Sequence, residues 1–366
     1  GVRVLDLSRH LAGPYCAMML GDLGAEVIKV ERPGVGDETR QWGPPFVGGE
    51  SAYYLCCNRN KKSLMLNLKH ERGIASAQEL ARNSDVLIEN FRVGGADELG
   101  LGYAALKEVN PRLIYCSISG FGHTGPDRKL GSYDFLIQGR GGFMSITGER
   151  DGSPMKVGVA IVDVATALFA SNAILAALFA RERTGVGQHL DMALFDSQIA
   201  LLANVGSNYL CSGEVPKRWG NAHASIVPYQ VFQAADDYLI LAIGNDGQWQ
   251  RFCAAAGVSQ WATDARFVTN PQRVAHRDAL IPLLEALFRQ KPVAEWLKLC
   301  RSADVPAGPV NTLDKVFTDP QALARGMLVE MPHPTAGSVR LAGTPFNLSA
   351  TPAQMRLPPP LLGEHT

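Results

Sequence analysis

Short apolar runs alternate with longer amphipathic segments through the first half of the chain. Runs such as VRVLDLS and EVIKVE are typical of buried strands, and the segments between them carry apolar residues at helical spacing. The pattern predicts strands at 2–8, 26–31, 63–69, 85–90 and 112–119, with helices near 14–25, 70–82, 95–109 and 132–146. This alternation indicates an α/β fold with a Rossmann-like parallel sheet that helices cover on both faces.

A long helix is predicted at 164–183, because this segment is rich in Ala and Leu and meets no helix breaker before the glycines of TGVGQ. A further helical run is expected to reach about Leu210. The uninterrupted apolar stretches are too short to span a bilayer, so no membrane segment is expected.

The pattern changes after about residue 226. Residues 229–244 predict a hairpin around AADD, amphipathic helices follow near 246–256, 271–288 and 292–302, and 305–312 is a Pro/Gly-rich connector. A second hairpin is expected around 333–339. We expect a large α/β domain at 1–200, a linker at 201–225, a small α+β domain at 226–315 and a return segment at 316–366 that packs on the large domain.

Composition excludes some partners. The chain has 366 residues, of which 46% are hydrophobic, and 35 basic residues balance 35 acidic ones. A nucleic acid or an acidic membrane as partner normally leaves a basic excess, so neither is expected. The seven cysteines include Cys56–Cys57 but form no CxxC or Cys/His cluster, so no metal site is expected. They fit a reducing compartment: the cytoplasm or, after removal of a presequence, the mitochondrial matrix.

One acid, Asp163, interrupts the apolar run VGVAIVDVATALFA at 157–170. Burying a carboxylate costs free energy unless the group is paired or hydrogen-bonded. Because Asp163 directly precedes the predicted long helix, the local pattern favours an N-cap, and the helix macrodipole would keep the carboxylate ionised. An ionised, partly desolvated carboxylate is also a usable nucleophile. Both interpretations stay open at this point.

No nucleotide or hydrolase motif accompanies this acid. GRGGFMSITG follows no strand, GPPFVGGE lacks the Walker lysine, and the chain has no GxSxG. The basic cluster NRNKKS, together with Arg32, Arg40 and Lys69, has the charge to hold a phosphorylated small ligand, with a solvated loop as the alternative.

The segment VLDLSRHLAGPYCAMMLGDLGAEVIKVERPGVGDETR at 4–40 strongly resembles the opening of the family III CoA-transferases. NRNKKSLMLNLK, DVLIENF, YDFLIQGRGG, ARERTGVGQ, DVPAGPVNT and PLLGEHT continue the resemblance in order over nearly the whole chain. The resemblance implies an interlocked homodimer that transfers CoA between small carboxylic acids. Coenzyme A and acyl-CoA enter as substrates, and no cofactor is bound permanently.

The resemblance also implies roles for individual residues. Asp163 stands at the position of a nucleophilic aspartate that forms a mixed anhydride and then an aspartyl-CoA thioester. The implied CoA contacts are His10, Leu11, Ala12, Arg32, Leu66, Lys69, Asn90 and Phe91. The implied substrate-facing residues are Tyr133 and Asp134, with His223 and Ser225 in the family's glycine-rich loop. Arg40, Arg140 and Arg218 are candidate cations for a distal carboxylate.

Two departures from the family and two alternatives bear on the function. Glu98 replaces a family arginine that lies beyond the ENF motif, and Leu11 replaces a glutamine, which argues against oxalate as acceptor. Segments such as RQWGPPFVGGESAYYL imply succinyl-CoA as donor and glutarate or a related dicarboxylate as acceptor. An α-methylacyl-CoA racemase is one alternative, but Tyr133 replaces its histidine base, and tyrosine has a pKa of about 10. A non-catalytic acyl-CoA-binding protein is the other.

Overall fold

The computed structural model describes residues 1–366 and divides into two compact units. The first unit comprises 1–143, 156–215 and 319–366, and the second comprises 144–155 and 216–318. The expected linker 201–225 is therefore shared, since its first part belongs to the first unit and its last part to the second.

Six strands of the first unit form one parallel sheet in the order β5-β2-β1-β6-β7-β8. The strands before the long helix and the one after it are β1 (Arg3–Asp6), β2 (Glu26–Glu31), β3 (Phe46–Val47), β4 (Glu50–Ser51), β5 (Lys61–Met65), β6 (Val86–Glu89), β7 (Ile114–Ser119) and β8 (His189–Ala193). The short β3 and β4 pair with each other alone. The α/β class with a large parallel sheet is confirmed. The expectation of helix over the residues of β8 is wrong, because pairing with β7 holds this edge segment extended.

The helices of this half are α1 (Ala12–Asp22), α2 (Ala52–Leu55), α3 (Glu71–Arg82), α4 (Gly95–Glu98), α5 (Tyr103–Val109), α6 (Asp134–Arg140), α7 (Phe143–Ile146), α8 (Ile161–Thr184), α9 (Leu194–Leu201) and α10 (Ala203–Ser212), with a 3-10 turn at Glu38–Gln41. Alternate residues of each strand face opposite layers, as the buried pair Val4 and Leu5 shows. Val4 packs in the core that α1 and α8 share, and Leu5 packs in the core of α3 and α5. Burial on both faces explains why the strands are continuously apolar.

The helix α8 has 24 residues, and an 18-residue window of it has a mean hydropathy of 1.9, so by length and composition alone it could cross a membrane, as a buried core helix also could. The uninterrupted apolar stretches within it are shorter, because Asp163, Asn172 and Arg181 interrupt the run. One face, with Val162, Ala167 and Ile174, is buried in the core against α1 and the sheet.

The second unit contains a three-stranded antiparallel sheet in the order β11-β10-β9. Its strands are β9 (Tyr229–Gln233), β10 (Tyr238–Ala242) and β11 (Ala307–Pro309), and its helices are α11 (Asp246–Ala255), α12 (Ser259–Thr263), α13 (Asn270–Ala275), α14 (Arg277–Phe288), α15 (Val293–Ser302) and α16 (Leu313–Thr318). The first predicted hairpin is confirmed. The predicted helix at 271–288 is two helices, and the expected connector contributes the third strand.

The return segment contains α17 (Pro320–Ala324) and the predicted second hairpin, β12 (Leu328–His333) with β13 (Gly337–Ala342). The last residues have no regular structure and contact β5. The N–H groups of Gly363 and His365 donate to the hydroxyl and the carbonyl of Ser63, each at 2.9 Å. The end of the chain is therefore bound to the edge strand of the large sheet.

Candidate active site

Asp163 is the third residue of α8 and does not cap it. The N-cap position belongs to Ala160, which offers no side-chain hydrogen bond. The N-cap interpretation of Asp163 is therefore wrong. The acid that serves the helix terminus is Asp134 of α6, whose Oδ2 accepts from the N–H groups of Val162 at 2.7 Å and Asp163 at 3.2 Å. Because Asp134 occupies these donors, the carboxylate of Asp163 is left free of the capping role.

The electrostatic setting of Asp163 is unusual for an acid. Burial raises the pKa of this carboxyl to about 7, and the negative charge of Asp134 adds to the effect. No cation forms an ion pair with it. The expectation that the macrodipole would keep it ionised is wrong, because burial and a like charge outweigh the helix terminus.

Asp134 is itself held in place by Gln138, one helical turn further along α6. Gln138 Nε2 donates to Asp134 Oδ1 at 2.5 Å, and Gln138 Oε1 accepts from the N–H of Val157 at 2.8 Å. Both side chains are buried. The preceding residue, Tyr133, is not buried like Asp134, since 62% of it is exposed to solvent. The two adjacent residues expected to face substrate thus differ: Asp134 positions α8, and Tyr133 is open to a ligand.

Four rings form a connected group in the first unit, here called the aromatic group: His10, Trp42, Tyr53 and Tyr133. His10 stacks on Trp42 with centroids 5.4 Å apart, Trp42 meets the edge of Tyr53 at 5.0 Å, and Tyr133 lies 6.1 Å from His10. Burial raises the pKa of Tyr53, and the charge of Asp163 adds to it, so Tyr53 lies within electrostatic range of that acid. The sequence reasoning missed Trp42 and Tyr53. Their only signal was their place in an aromatic, Pro/Gly-rich segment.

The loop that follows β1 is held in a strained form. His10 has a φ of 69°, in the left-handed region that a non-glycine residue enters at a cost of about 1 kcal/mol or more. Asn90 stabilises this form, because its side chain accepts from the N–H of Arg9 at 2.9 Å and donates to the Arg9 carbonyl at 2.8 Å. Asp37 accepts from the N–H of His10 at 3.2 Å. Leu11 and Ala12 follow directly, buried at the start of α1.

Two buried lysines stabilise this loop. Lys29 lies 2.9 Å from Asp37 and donates to the Ser8 carbonyl at 2.9 Å. Lys61 donates to Asp6 at 2.9 Å. Lys61 belongs to the basic cluster NRNKKS, whose other cations are also paired: Arg59 with Asp22 and Lys62 with Glu26. The interpretation of this cluster as a phosphate site is therefore wrong, because its charges are neutralised within the fold.

Arg40 is also paired. Its guanidinium lies 2.8 Å from Glu31 and 3.0 Å from Glu50 and stacks over the Tyr54 ring, so its interpretation as a cation for a substrate carboxylate loses its support. The other two candidate arginines are paired as well. Arg140 forms an ion pair with Asp127, and Arg218 donates to the carbonyls of Glu149 and Gly152.

The remaining expected CoA contacts share one location in the sheet. They follow the carboxyl ends of four neighbouring strands: Leu66 and Lys69 after β5, Arg32 after β2, His10 to Ala12 after β1, and Asn90 with Phe91 after β6. Arg32 and Lys69 are exposed and form no ion pair. Ligands of parallel α/β sheets bind at this edge. The sequence-based set thus lies at one edge of the sheet and includes two exposed cations without an ion pair.

A cavity of about 190 Å³ lies beside β6, β7 and β8, lined in part by Glu89, Ser117 and His189. Ser117 Oγ lies 2.9 Å from His189 Nε2, and the buried carboxylate of Glu89 accepts from the N–H of Phe91 at 2.7 Å. Burial raises the pKa of Glu89. Since Phe91 follows Asn90, the cavity wall fixes the turn that carries both expected CoA contacts.

His223 and Ser225 lie in the second unit. His223 Nδ1 accepts from the N–H of Ser225 at 3.0 Å, and the His223 ring lies 5.5 Å from that of Tyr229. Arg277 donates to the carbonyls of His223 and Ala224 at 3.1 and 2.6 Å. The loop that the family resemblance singled out is therefore anchored by an arginine that the sequence reasoning did not name.

The family model described as CoA-transferase family III matches residues 1–366. A protein named succinyl-CoA:glutarate CoA-transferase from Mus musculus is 47% identical over all of this chain and 84% of its own length. One named succinate–glutarate CoA-transferase from Agrobacterium fabrum is 48% identical, with 100% and 93% covered. The crystal structure of a CAIB/BAIF family protein from Brucella suis superposes with a TM-score of 0.89 at 48% identity, covering 100% of this chain and 96% of that one.

Proposed function

The chain belongs to CoA-transferase family III, and from that membership we propose that it moves CoA from succinyl-CoA to glutarate or a related dicarboxylate, with Asp163 as the covalent relay. The names of the most similar relatives support the acid pair. The observation that carries the relay is a half-buried carboxylate without a cation, whose pKa burial and the charge of Asp134 raise to about 7. The names of these relatives favour neither the racemase nor the non-catalytic alternative.

The reaction proceeds through four acyl exchanges. The Asp163 carboxylate attacks the thioester carbonyl of succinyl-CoA, the C–S bond breaks, and CoA thiolate leaves a mixed anhydride. The thiolate then attacks the aspartyl carbonyl and releases succinate, which leaves an aspartyl-CoA thioester. Glutarate attacks that thioester to form a second anhydride and free thiolate. The thiolate takes the glutaryl group and restores the Asp163 carboxylate. Each step exchanges one activated acyl group for another, so the energy of the thioester is retained.

Three features of the fold serve this chemistry. The raised pKa makes Asp163 a more basic, and therefore stronger, nucleophile than an ordinary carboxylate. Asp134 occupies the N–H groups of α8, so the attacking oxygen need not break a capping bond. The apolar residues that flank Asp163 at the start of α8 limit the access of water, which would hydrolyse the anhydrides.

CoA lies along the carboxyl ends of β5, β2, β1 and β6. Arg32 and Lys69 are exposed cations there and contact the phosphates. His10, Leu11 and Ala12 line the path of the pantetheine arm. Leu66, Asn90 and Phe91 contact the remainder of the CoA molecule. Tyr133 faces the acyl group. Glu98 replaces a family arginine, so the phosphates rely more heavily on the other two cations.

The active form is an interlocked homodimer. Support comes from the face of α8 opposite the core, where Leu168, Phe169, Leu175 and Phe179 are exposed. An apolar surface of this kind is typical of an interface. The seven cysteines are all free thiols, which supports a reducing compartment such as the cytoplasm or the mitochondrial matrix.

Trapping with hydroxylamine tests the relay. Protein incubated with succinyl-CoA and hydroxylamine should gain a hydroxamate on Asp163, which peptide mass spectrometry locates. Asp163→Asn should abolish both the adduct and the formation of glutaryl-CoA. Asp196→Asn is the matched control, since Asp196 also lies in the first turn of a helix but is exposed. Unchanged CoA transfer by folded Asp163→Asn protein would overturn the proposal. Rates with a panel of acceptor acids test the substrate assignment.

A further inference from the structure

Two arginines of the second unit contact the same tryptophan, and neither has a role in the proposed transfer. The guanidinium carbon of Arg277 lies 4.3 Å from the centroid of the Trp219 ring, and that of Arg150 lies 5.3 Å from it. The face of an aromatic ring attracts a cation, so these contacts hold both side chains at the indole. The second unit thus brings together two cations and one apolar ring from three separate segments of the chain.

Neither arginine is neutralised by an acid. Other arginines of this unit form ion pairs with aspartates, namely Arg251, Arg266 and Arg273. No carboxylate lies within ion-pair distance of Arg150 or Arg277. Burial lowers the pKa of Arg277, and the charge of Arg150 adds to this effect against the opposite influence of Asp278. The positive charge of the pair is therefore only weakly compensated within the fold.

The start of α14 adds positive potential at Arg277. This helix has 12 residues, Arg277 is the first of them, and His276 at the N-cap offers no side-chain hydrogen bond. The free N–H groups of a first helical turn carry a partial positive charge, so a cation there is unfavourable and an anion is favourable. An anion bound at Arg277 relieves the repulsion from both the helix terminus and Arg150.

The fold presents both guanidinium groups to solvent. Arg277 Nη2 donates to the carbonyls of His223 and Ala224 at 3.1 and 2.6 Å, which fixes its orientation and leaves Nη1 and Nε as donors for a ligand. The guanidinium of Arg150 contacts Trp219 and no protein acceptor. Arg150 is exposed, and Arg277 and Trp219 are partly exposed, so a ligand in solution can reach all three.

We propose that Arg150, Trp219 and Arg277 form a binding site for a small dicarboxylate. One carboxylate lies against each guanidinium, whose planar donors match the two oxygens of a carboxylate. The methylene chain between the carboxylates lies along the exposed part of the indole. A site with two cations and an apolar ring thus matches a ligand with two anions and an apolar chain. The acceptor in the proposed function is of this class, but the binding does not depend on that function.

The experiment is a 19F NMR titration of the full-length protein, in which the five tryptophans are replaced by 5-fluorotryptophan. The Trp219 signal is identified by its absence from Trp219→Phe. Glutarate, added without acyl-CoA, should shift this signal along a saturable curve. Glutaramide has the same chain length without charge and should leave the signal in place.

Arg150→Gln should weaken the binding of glutarate about fivefold, because one carboxylate loses its cation. This variant should fold normally, since Arg150 is exposed and its guanidinium contacts no protein acceptor. Arg277→Gln should weaken binding by a similar factor. Arg289→Gln is the matched control, because Arg289 is an exposed arginine at the other end of α14, and it should bind glutarate as the wild type does.

Three results would overturn the site: no saturable shift of the Trp219 signal with glutarate, an equal shift with glutaramide, or equal affinity in the wild type and Arg150→Gln. Inorganic phosphate that binds more tightly than glutarate would overturn the choice of a dicarboxylate. Failure of the Asp163 relay is recognised separately, because this titration uses no acyl-CoA and measures no transfer.

Discussion

The charge of Asp134 helps to set the protonation state of Asp163, and Asp134→Asn tests this directly. The carboxamide has the same shape, and its oxygen still accepts from the N–H groups of Val162 and Asp163, so the terminus of α8 keeps its cap. The variant loses one negative charge and the acceptor for Gln138 Nε2. Because a negative charge disfavours ionisation of a neighbouring acid, the pKa of Asp163 should fall.

The size of the fall follows from the causes of the raised value. The pKa of Asp163 rises from 3.8 to about 7, with burial as the larger cause and the charge of Asp134 as the smaller. Removing the smaller cause therefore lowers the pKa by less than half of that difference, or at most about 1.5 pH units, equal to about 2 kcal/mol. The lost hydrogen bond to Gln138 costs about 1 kcal/mol of stability and leaves the pH profile where it is.

The assay is the pH dependence of kcat/KM for formation of glutaryl-CoA from succinyl-CoA. The acid limb reports ionisation of the nucleophile, so in the wild type it should have its midpoint near the pKa of Asp163, about 7. In Asp134→Asn the midpoint should move down by about one pH unit, while Asp196→Asn leaves it in place. An acid limb that stays at the wild-type pH in folded Asp134→Asn protein would refute the reasoning.

Three further predictions concern stability and substrate affinity. Asp163→Asn should raise the free energy of unfolding, and this increase should be about 1 to 3 kcal/mol larger at pH 8 than at pH 5. The pKa of Asp163 in the folded protein lies above the unfolded value of about 3.9, so the wild type loses stability as the pH rises between these two values. Urea unfolding measures this, and equal gains at both pH values would contradict it. Arg40→Lys should lower the free energy of unfolding by about 2 to 4 kcal/mol, since the buried Glu31 loses its two-pronged partner, and should leave the KM for glutarate unchanged. A raised KM without a stability loss would restore a substrate role. Asn90→Ala should raise the KM for succinyl-CoA about tenfold, because the backbone of Arg9 loses two hydrogen bonds, and a loss confined to kcat would contradict this.

The pattern along the chain predicted most of the elements, because each strand of the large sheet is buried on both faces and so reads as an apolar run. It failed at β8, where HLDMA has too few apolar residues to signal a strand. There the partner strand β7 decides the conformation. It also treated Lys61 as a surface charge, whereas Asp6 holds that lysine inside the fold. Pairing between residues far apart in the chain produces no pattern in the local sequence.

Some features of the candidate active site were also predicted by the sequence, and others were decided only by the tertiary structure. An acid within an apolar run was sufficient to single out Asp163, because the cost of burying a charge makes such a residue improbable unless it has a role. The resemblance carried by the segment 4–40 and the later motifs indicated the family and the reaction. Only the tertiary structure decided that Asp134 caps α8, that Arg40 is paired with Glu31, and that Trp42 and Tyr53 join His10. These are contacts between separate elements, and their geometry depends on how the sheet and its helices pack rather than on neighbouring residues.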